Sequence, residues 1–352
     1  MDFLKRSIDI ILEHQHASGA YVACPNFPTY QYCWFRDGSF IAYSMDLVDQ
    51  FESAHRFHAW AAGAVNQRID VIKQALESSA VGRPITEAEV LHTRYTLEGQ
   101  DGTREEWPNF QLDGFGTWLW ALNEHRMRSR ADLPAEWVQA ASAVASYLEA
   151  LWRLPCYDCW EEFPDKVHPH TLAAIYGGLR ACQDLDGKDR SSTLAEIEIF
   201  IFEKGLVNGH FAKFAGSETV DASLLALCTP YRLVDHQHPV MLGTISEIER
   251  LLHQGGGVHR YAADTYYGGG EWVLLAGWLG WYYAESGQIS KAQSLLTWME
   301  NSASETGGMP EQVPTMLNDP EYYQPWLERW GAIATPLLWS HANYIILRKK
   351  LE

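Results

Sequence analysis

From Leu151 to Arg180 the chain reads LWRLPCYDCWEEFPDKVHPHTLAAIYGGLR, a polar turn running into an apolar helix. From His168 onward the apolar residues recur with a period of about 3.6, which predicts a helix over 167–183. Pro155, Cys156, Tyr157 and Asp158 interrupt any regular element, so Trp160, Glu161 and Glu162 fall on a loop at the mouth of that helix. Loops carried by a rigid body are where reactive groups concentrate. An indole beside a carboxyl group disfavours the charged form and raises the pKa, the state a general acid needs near neutral pH. On spacing alone a solvated acidic turn is the simpler reading of the pair, and the rest of the chain has to decide.

The helical period continues in both directions. It predicts helices at 3–17, 38–50, 53–79, 111–128, 134–152, 167–183, 191–207, 219–228, 240–254, 270–286, 288–303 and 335–350. In the last of these Thr335 can act as the cap, Pro336 suits the first helical position, and Lys349 and Lys350 sit at the negative end of the dipole. Alternating strand patterns are missing apart from a short candidate at 90–97. Twelve helices in six successive pairs is the count of an all-α (α/α)6 barrel, with inner helices around a funnel and loops at one end building a site. No linker or low-complexity tract divides the 352 residues, so 1–352 reads as one domain, with no β-sandwich ahead of the first helix.

Composition narrows the partners. A formal charge of −18 argues against nucleic acid and anionic lipid, which need a basic face. The first residues, MDFLKRSIDIILEHQHASG, are broken by Asp9 and Glu13 and do not form a secretory signal. No apolar run approaches the roughly 20 residues that cross a bilayer, so the expectation is a cytoplasmic protein without a membrane partner. The six cysteines then read as free thiols. Cys156 and Cys159 have C-x-x-C spacing, but no second ligand pair is evident, and no metal is expected there. His14 and His16 point to different faces of a helix and make a poor metal pair.

Five long loops, 18–37, 80–110, 153–166, 254–270 and 304–334, each combine aromatic residues with Arg, Asp or Glu, and loops of that length usually have a task. The first ends in YQYCWFRD, Tyr30 to Asp37. Its Arg36–Asp37 pair reads either as a helix cap with its ion pair or, flanked by Tyr30, Tyr32 and Trp34, as a place where Asp37 accepts hydrogen bonds from sugar hydroxyls while a ring stacks beneath. The second carries Glu105, Glu106, Trp107 and Asn109. The fourth runs from Gly255 through Arg260 and Tyr261 to Trp272, with glycines that permit close approach of a ligand. The fifth carries Pro310, Glu311, Gln312 and Val313, then Trp326, Glu328, Arg329 and Trp330.

Assembled in order, YQYCWFRD, WPNFQLDG (107–114), WEE (160–162), RYAADTYYGGGEW (260–272) and PEQV (310–313) resemble the catalytic domain of glycoside hydrolase family 15, the glucoamylases and their relatives. Asp221-Ala-Ser-Leu-Leu225 and Trp339-Ser-His-Ala342 add to the likeness. The resemblance implies an inverting, exo-acting α-glucosidase acting on short gluco-oligosaccharides from the non-reducing end and releasing β-glucose. It implies Glu161 as general acid and Glu311 as general base, a pair that in inverting enzymes stands about 6.5–9.5 Å apart. Glu162 is implied as a binding neighbour that helps keep Glu161 protonated. Arg36 and Asp37 are implied as the grip on the terminal glucose, Arg260 and Tyr261 as a further sugar contact, and Tyr30, Trp34, Trp107 and Trp272 as ring walls. Acid, base and water suffice, so no cofactor is expected.

Members of the family often carry a β-sandwich or a starch-binding module, and their absence from this sequence favours small soluble substrates. Three other readings compete. Trehalose hydrolysis could run on the same residues. A sugar epimerase of the same barrel class would need two histidines in the funnel, and His168, His170 and His341 read instead as helix-start or core hydrogen-bonding groups. A sugar-binding protein with a retired site would have lost a key carboxylate, and none is lost. Linkage preference, chain length and oligomeric state are not legible.

Overall fold

The computed structural model describes residues 1–103 and 106–352. Its helices are α1 (Phe3–Glu13), α2 (Phe35–Leu47), α3 (Phe51–Asn66), α4 (Ile69–Ala80), α5 (Asp113–Ser129), α6 (Ala135–Leu151) and α7 (Pro169–Asp186). There follow α8 (Ser191–Lys204), α9 (Pro239–Leu251), α10 (Val273–Glu285), α11 (Ile289–Asn301), α12 (Tyr323–Trp330) and α13 (Leu338–Lys350). A two-turn 3-10 helix, Ala222–Leu227, stands between α8 and α9.

The helices sort by pattern. α10 is apolar on every side and almost wholly buried, and α2, α5, α7 and α13 are buried over most of their length. Such helices belong inside a larger assembly. They pack in a closed ring, α2 on α5, α5 on α7, α7 on the 3-10 helix, the 3-10 helix on α10, α10 on α13 and α13 back on α2. Around it lie amphipathic partners, α1 on α13, α3 on α2, α6 on α7, α8 on α7, α9 on the 3-10 helix and α11 on α10. This is an (α/α)6 barrel in which one inner member is a short 3-10 helix. α5 and α7 approach most closely at Gly116 and Gly178. A Cβ on Gly178 would stand 2.3 Å from the carbonyl oxygen of Gly116, which only glycine avoids.

Several boundaries differ from the sequence reading. The predicted helix 53–79 is two helices, because Arg68 turns its side chain back to the carbonyl oxygen of Ala64 (2.7 Å) and across to Asp101 (2.7 Å) and Gly99 (2.9 Å), tying the break to loop 97–101. The predicted helix 219–228 is the 3-10 segment, capped by the Asp221 side chain on the Ser223 N–H. α12 lies inside the predicted loop 304–334. The last helix starts at Leu338, so neither Thr335 nor Pro336 caps it. The strand candidate at 90–97 shrinks to Arg94–Tyr95.

Three two-residue ladders pin the loops at one end: β1 (Cys33–Trp34) with β2 (Arg94–Tyr95), β3 (Leu206–Val207) with β4 (His210–Phe211), and β5 (Glu271–Trp272) with β6 (Gln312–Val313). At the same end lie the first turns of α2 and α5, joined by Arg36 and Asp113 at 3.3 Å. Helix N-termini carry partial positive charge, so the end that gathers them favours acidic groups and hydroxyl oxygens. No helix among the described residues is long and apolar enough to cross a membrane. All six cysteines are buried and unpaired.

Candidate active site

The turn 158–162 is built by one side chain. Asp158 Oδ1 accepts the backbone N–H groups of Trp160 and Glu162, each at 2.9 Å. Its other oxygen meets Lys213 Nζ at 3.2 Å, and Lys213 also holds Asp221 at 2.6 Å. Asp221 in turn accepts the Trp160 indole N–H at 3.1 Å. This buried network fixes Trp160 and twists Glu161 to a φ of +66°. A left-handed backbone at a non-glycine residue is strained and persists where its surroundings impose it. Glu161 thereby faces the funnel, where the Trp34 indole N–H donates to its Oε1 at 2.6 Å. Burial pushes its pKa up to about 7, against the opposing pull of Arg36 and Trp34.

Glu311 comes from the strand-turn opposite. Its backbone carbonyl accepts the Val273 N–H at 3.2 Å, and its N–H donates to Ala334 at 2.9 Å. The Tyr30 hydroxyl donates to its Oε1 at 3.1 Å and lies 3.0 Å from the Tyr266 hydroxyl. Burial pushes Glu311 up to about 8, opposed by Tyr30, Arg260 and Tyr266, which stabilise the anion. Its Oε2 has no hydrogen-bond partner among the described residues. Tyr30 and Trp34, which hold the two carboxyl groups, meet edge to face with ring centroids 5.9 Å apart.

Arg36 is clamped by Gln111 (3.0 Å) and Asp113 (3.3 Å), and Gln111 reaches on to the Asp158 carbonyl at 2.5 Å. The Arg36 guanidinium stands 3.5 Å from Asp37. Asp37 is 6% exposed, and its Oδ2 has no hydrogen-bond partner among the described residues. Burial raises it to about 6. That same oxygen is the one the Arg36 guanidinium approaches, so an ion pair holds the carboxylate at the cavity wall. On the next wall Glu162 accepts from the Tyr261 hydroxyl (2.6 Å) and Arg260 (3.4 Å), and burial raises its pKa as well. Arg260 is itself locked to Asp264.

These walls enclose a cavity of about 410 Å³. Glu161, Glu311, Tyr30, Trp34, Arg36, Asp37, Trp107, Glu162, Arg260 and Trp272 all line it. Tyr261 does not; it stands behind Glu162 and acts through that carboxylate. Glu105 lies outside the described residues. Tyr266 and Trp339, and Trp326, Arg329 and Trp330 on α12, also line the cavity and were not singled out as ligand contacts. Tyr266 sat in a quoted motif, but only the fold puts its hydroxyl beside Glu311. The histidines of interest are structural: His168 bonds Cys156 and Phe163 carbonyls, His170 the Ser223 carbonyl, and His341 joins Ser7 to the Met309 N–H.

Two carboxyl groups, flat aromatic walls and a third acid paired with an arginine are the parts of a sugar-cleaving site. Comparisons with known proteins agree. The model of glycosyl hydrolases family 15 matches residues 1–321. An isomaltose glucohydrolase from Kribbella flavida is 40% identical over 99% of this chain and 92% of that protein. A glycosidase solved in complex with glucose superposes with a TM-score of 0.95 at 39% identity, over 99% of this chain and 96% of that one. Trehalase 2 from Sulfolobus acidocaldarius is more distant, 24% identical over 83% of this chain and 52% of its own length. The chain therefore belongs to glycosyl hydrolases family 15 and is an exo-acting α-glucosidase.

Proposed function

We propose that this single-domain enzyme, 1–352, cleaves a disaccharide with inversion, Glu161 acting as general acid and Glu311 as general base, and that isomaltose is its preferred substrate. The observation that carries the reading is the pair of carboxyl groups on one small cavity, Glu161 half-buried and held by an indole N–H, Glu311 buried and held by a phenol hydroxyl. In the reaction protonated Glu161 gives its proton to the glycosidic oxygen as the C1–O bond breaks. Ionised Glu311 takes a proton from water as that water attacks C1 from the opposite face, so β-glucose and a free alcohol leave together. Asp37 and Arg36, paired at the cavity wall, hold hydroxyls of the terminal glucose.

A volume of 410 Å³ lies near the small end of ligand sites. α12 helps close it with Trp326, Arg329 and Trp330, which suits two sugar units better than a chain. The identity to an isomaltose glucohydrolase supports the α-1,6 preference. Six unpaired thiols suit a reducing compartment, which supports a cytoplasmic site of action. The test is proton NMR of a fresh digest with isomaltose, maltose, nigerose and trehalose offered separately. β-Glucose appearing before mutarotation, fastest from isomaltose, is the expected result. α-Glucose appearing first would overturn the roles of Glu161 and Glu311, and faster release from trehalose would overturn the substrate.

A further inference from the structure

We propose that Asp46, His58 and His125 bind one divalent transition-metal ion, zinc by preference, at the end of the barrel away from the sugar cavity. Asp46 ends α2, His58 lies on α3 and His125 on α5. One donor atom from each lies within 4.8 Å of the other two. The side chains are buried, at 2%, 0% and 2% exposure. His125 Nδ1 meets Asp46 Oδ1 at 2.9 Å. Beyond that contact, neither ring nitrogen of His58 and not Asp46 Oδ2 has a hydrogen-bond partner among the described residues.

A buried imidazole with both nitrogens unpaired costs stability, and buried polar groups in folded proteins are almost always satisfied. Packing does not require it, since an apolar residue would fill the same space between Phe57 and Trp137. Two imidazoles and a carboxylate form a borderline donor set that suits zinc, whereas magnesium and calcium take oxygen ligands. Tetrahedral zinc with bonds of about 2.0–2.1 Å holds neighbouring donors about 3.4 Å apart, so donors that now lie within 4.8 Å of one another need to close by no more than about 1.4 Å. His55 precedes His58 by three residues and shares its helix face. Its ring centroid is 5.9 Å from that of His125, and it is exposed. Its donor atoms are not among those that lie within 4.8 Å of one another, so it stands beside the site, on the solvent side. The cation facing Asp46, Arg128, is paired with Glu124 at 3.4 Å and leaves the carboxylate available.

The site is remote from catalysis. Asp46 stands ten residues beyond Arg36 on α2, about 15 Å at 1.5 Å per residue. An ion there would clamp α2, α3 and α5 without touching substrate.

The experiment strips the purified enzyme with a chelator, adds two equivalents of zinc, desalts it and counts retained zinc per chain, with melting curves before and after. Cobalt loading gives a second readout, visible d–d absorption of an ion held in a low-symmetry nitrogen and oxygen site. Wild type should keep one zinc, melt several degrees higher with it and show the cobalt bands, while His58→Gln and Asp46→Asn lose all three. Hydrolysis should run at the same rate in stripped and loaded wild type. Zinc retention no higher in wild type than in His58→Gln, or an unchanged melting temperature on loading, would overturn the proposal. The wild-type melting and cobalt measurements stand even if a variant fails to fold.

Discussion

The wall that carries Glu161 and the wall that carries Glu311 hold a carboxyl group by different means. Glu161 sits on a strained turn, imposed from behind by Asp158, Lys213 and Asp221, and receives an indole N–H. Glu311 sits on relaxed backbone beside a short ladder, and its pKa is opposed by two phenols and an arginine. The first arrangement fixes where the proton is delivered. The second supplies donors for the charge a base must carry. Burial raises both groups, and it raises Glu311 further, to about 8 against about 7.

Removing either carboxyl group gives the largest expected effect. Glu161→Gln and Glu311→Gln should each lower kcat by roughly 10³-fold or more while circular dichroism stays unchanged. Either variant turning over near the wild-type rate would dissolve the comparison. Asp37→Asn should cost roughly 10–100-fold in kcat/KM, as loss of a charged hydrogen bond to a sugar hydroxyl does. Unchanged kinetics would take Asp37 out of the site.

The pH dependence sharpens the contrast. Only the singly protonated pair can react, so kcat/KM should follow a bell with its maximum between about pH 7 and 8, the two limbs belonging to the pair rather than to either residue. Tyr266→Phe removes a donor that favours ionised Glu311, the group with the higher pKa, so the alkaline limb should move to higher pH, with a loss in kcat of about tenfold or less. A limb that stays in place would show that Tyr266 does not tune the base.

Stability gives the smallest effect. A carboxyl group whose folded pKa exceeds its unfolded value keeps its proton longer in the native state, so its contribution is lost as pH rises through the folded value. Glu311→Gln does not titrate. Its melting temperature should match wild type near pH 5 and exceed it by a few degrees above about pH 8. A gap of the opposite sign would mean that Glu311 is stabilised as the anion.

Much of this was legible in the chain. The helical period and the order of the motifs led to the barrel and to most of the cavity wall, because inner helices must be apolar all round and site loops must not be. The break at Arg68 was hidden, since it depends on a side chain reaching a loop some thirty residues away in sequence. The short inner 3-10 helix, the position of Tyr261 behind Glu162 and the reach of Tyr266 to Glu311 depend on tertiary packing rather than on period. His55 and His58 show helical ligand spacing, yet their partners Asp46 and His125 come from other helices.

The closed inner ring has a consequence for how the protein is made. α13 completes the ring between α10 and α2 and also supplies Trp339 to the cavity wall. On the ribosome α13 emerges after every other member of the ring, so the funnel has no closed wall until α13 has cleared the exit tunnel. Until then α2 and α10 each expose a bare apolar side, and the nascent barrel should depend on being shielded there. Hydrolytic competence is gained only when α13 shuts the ring.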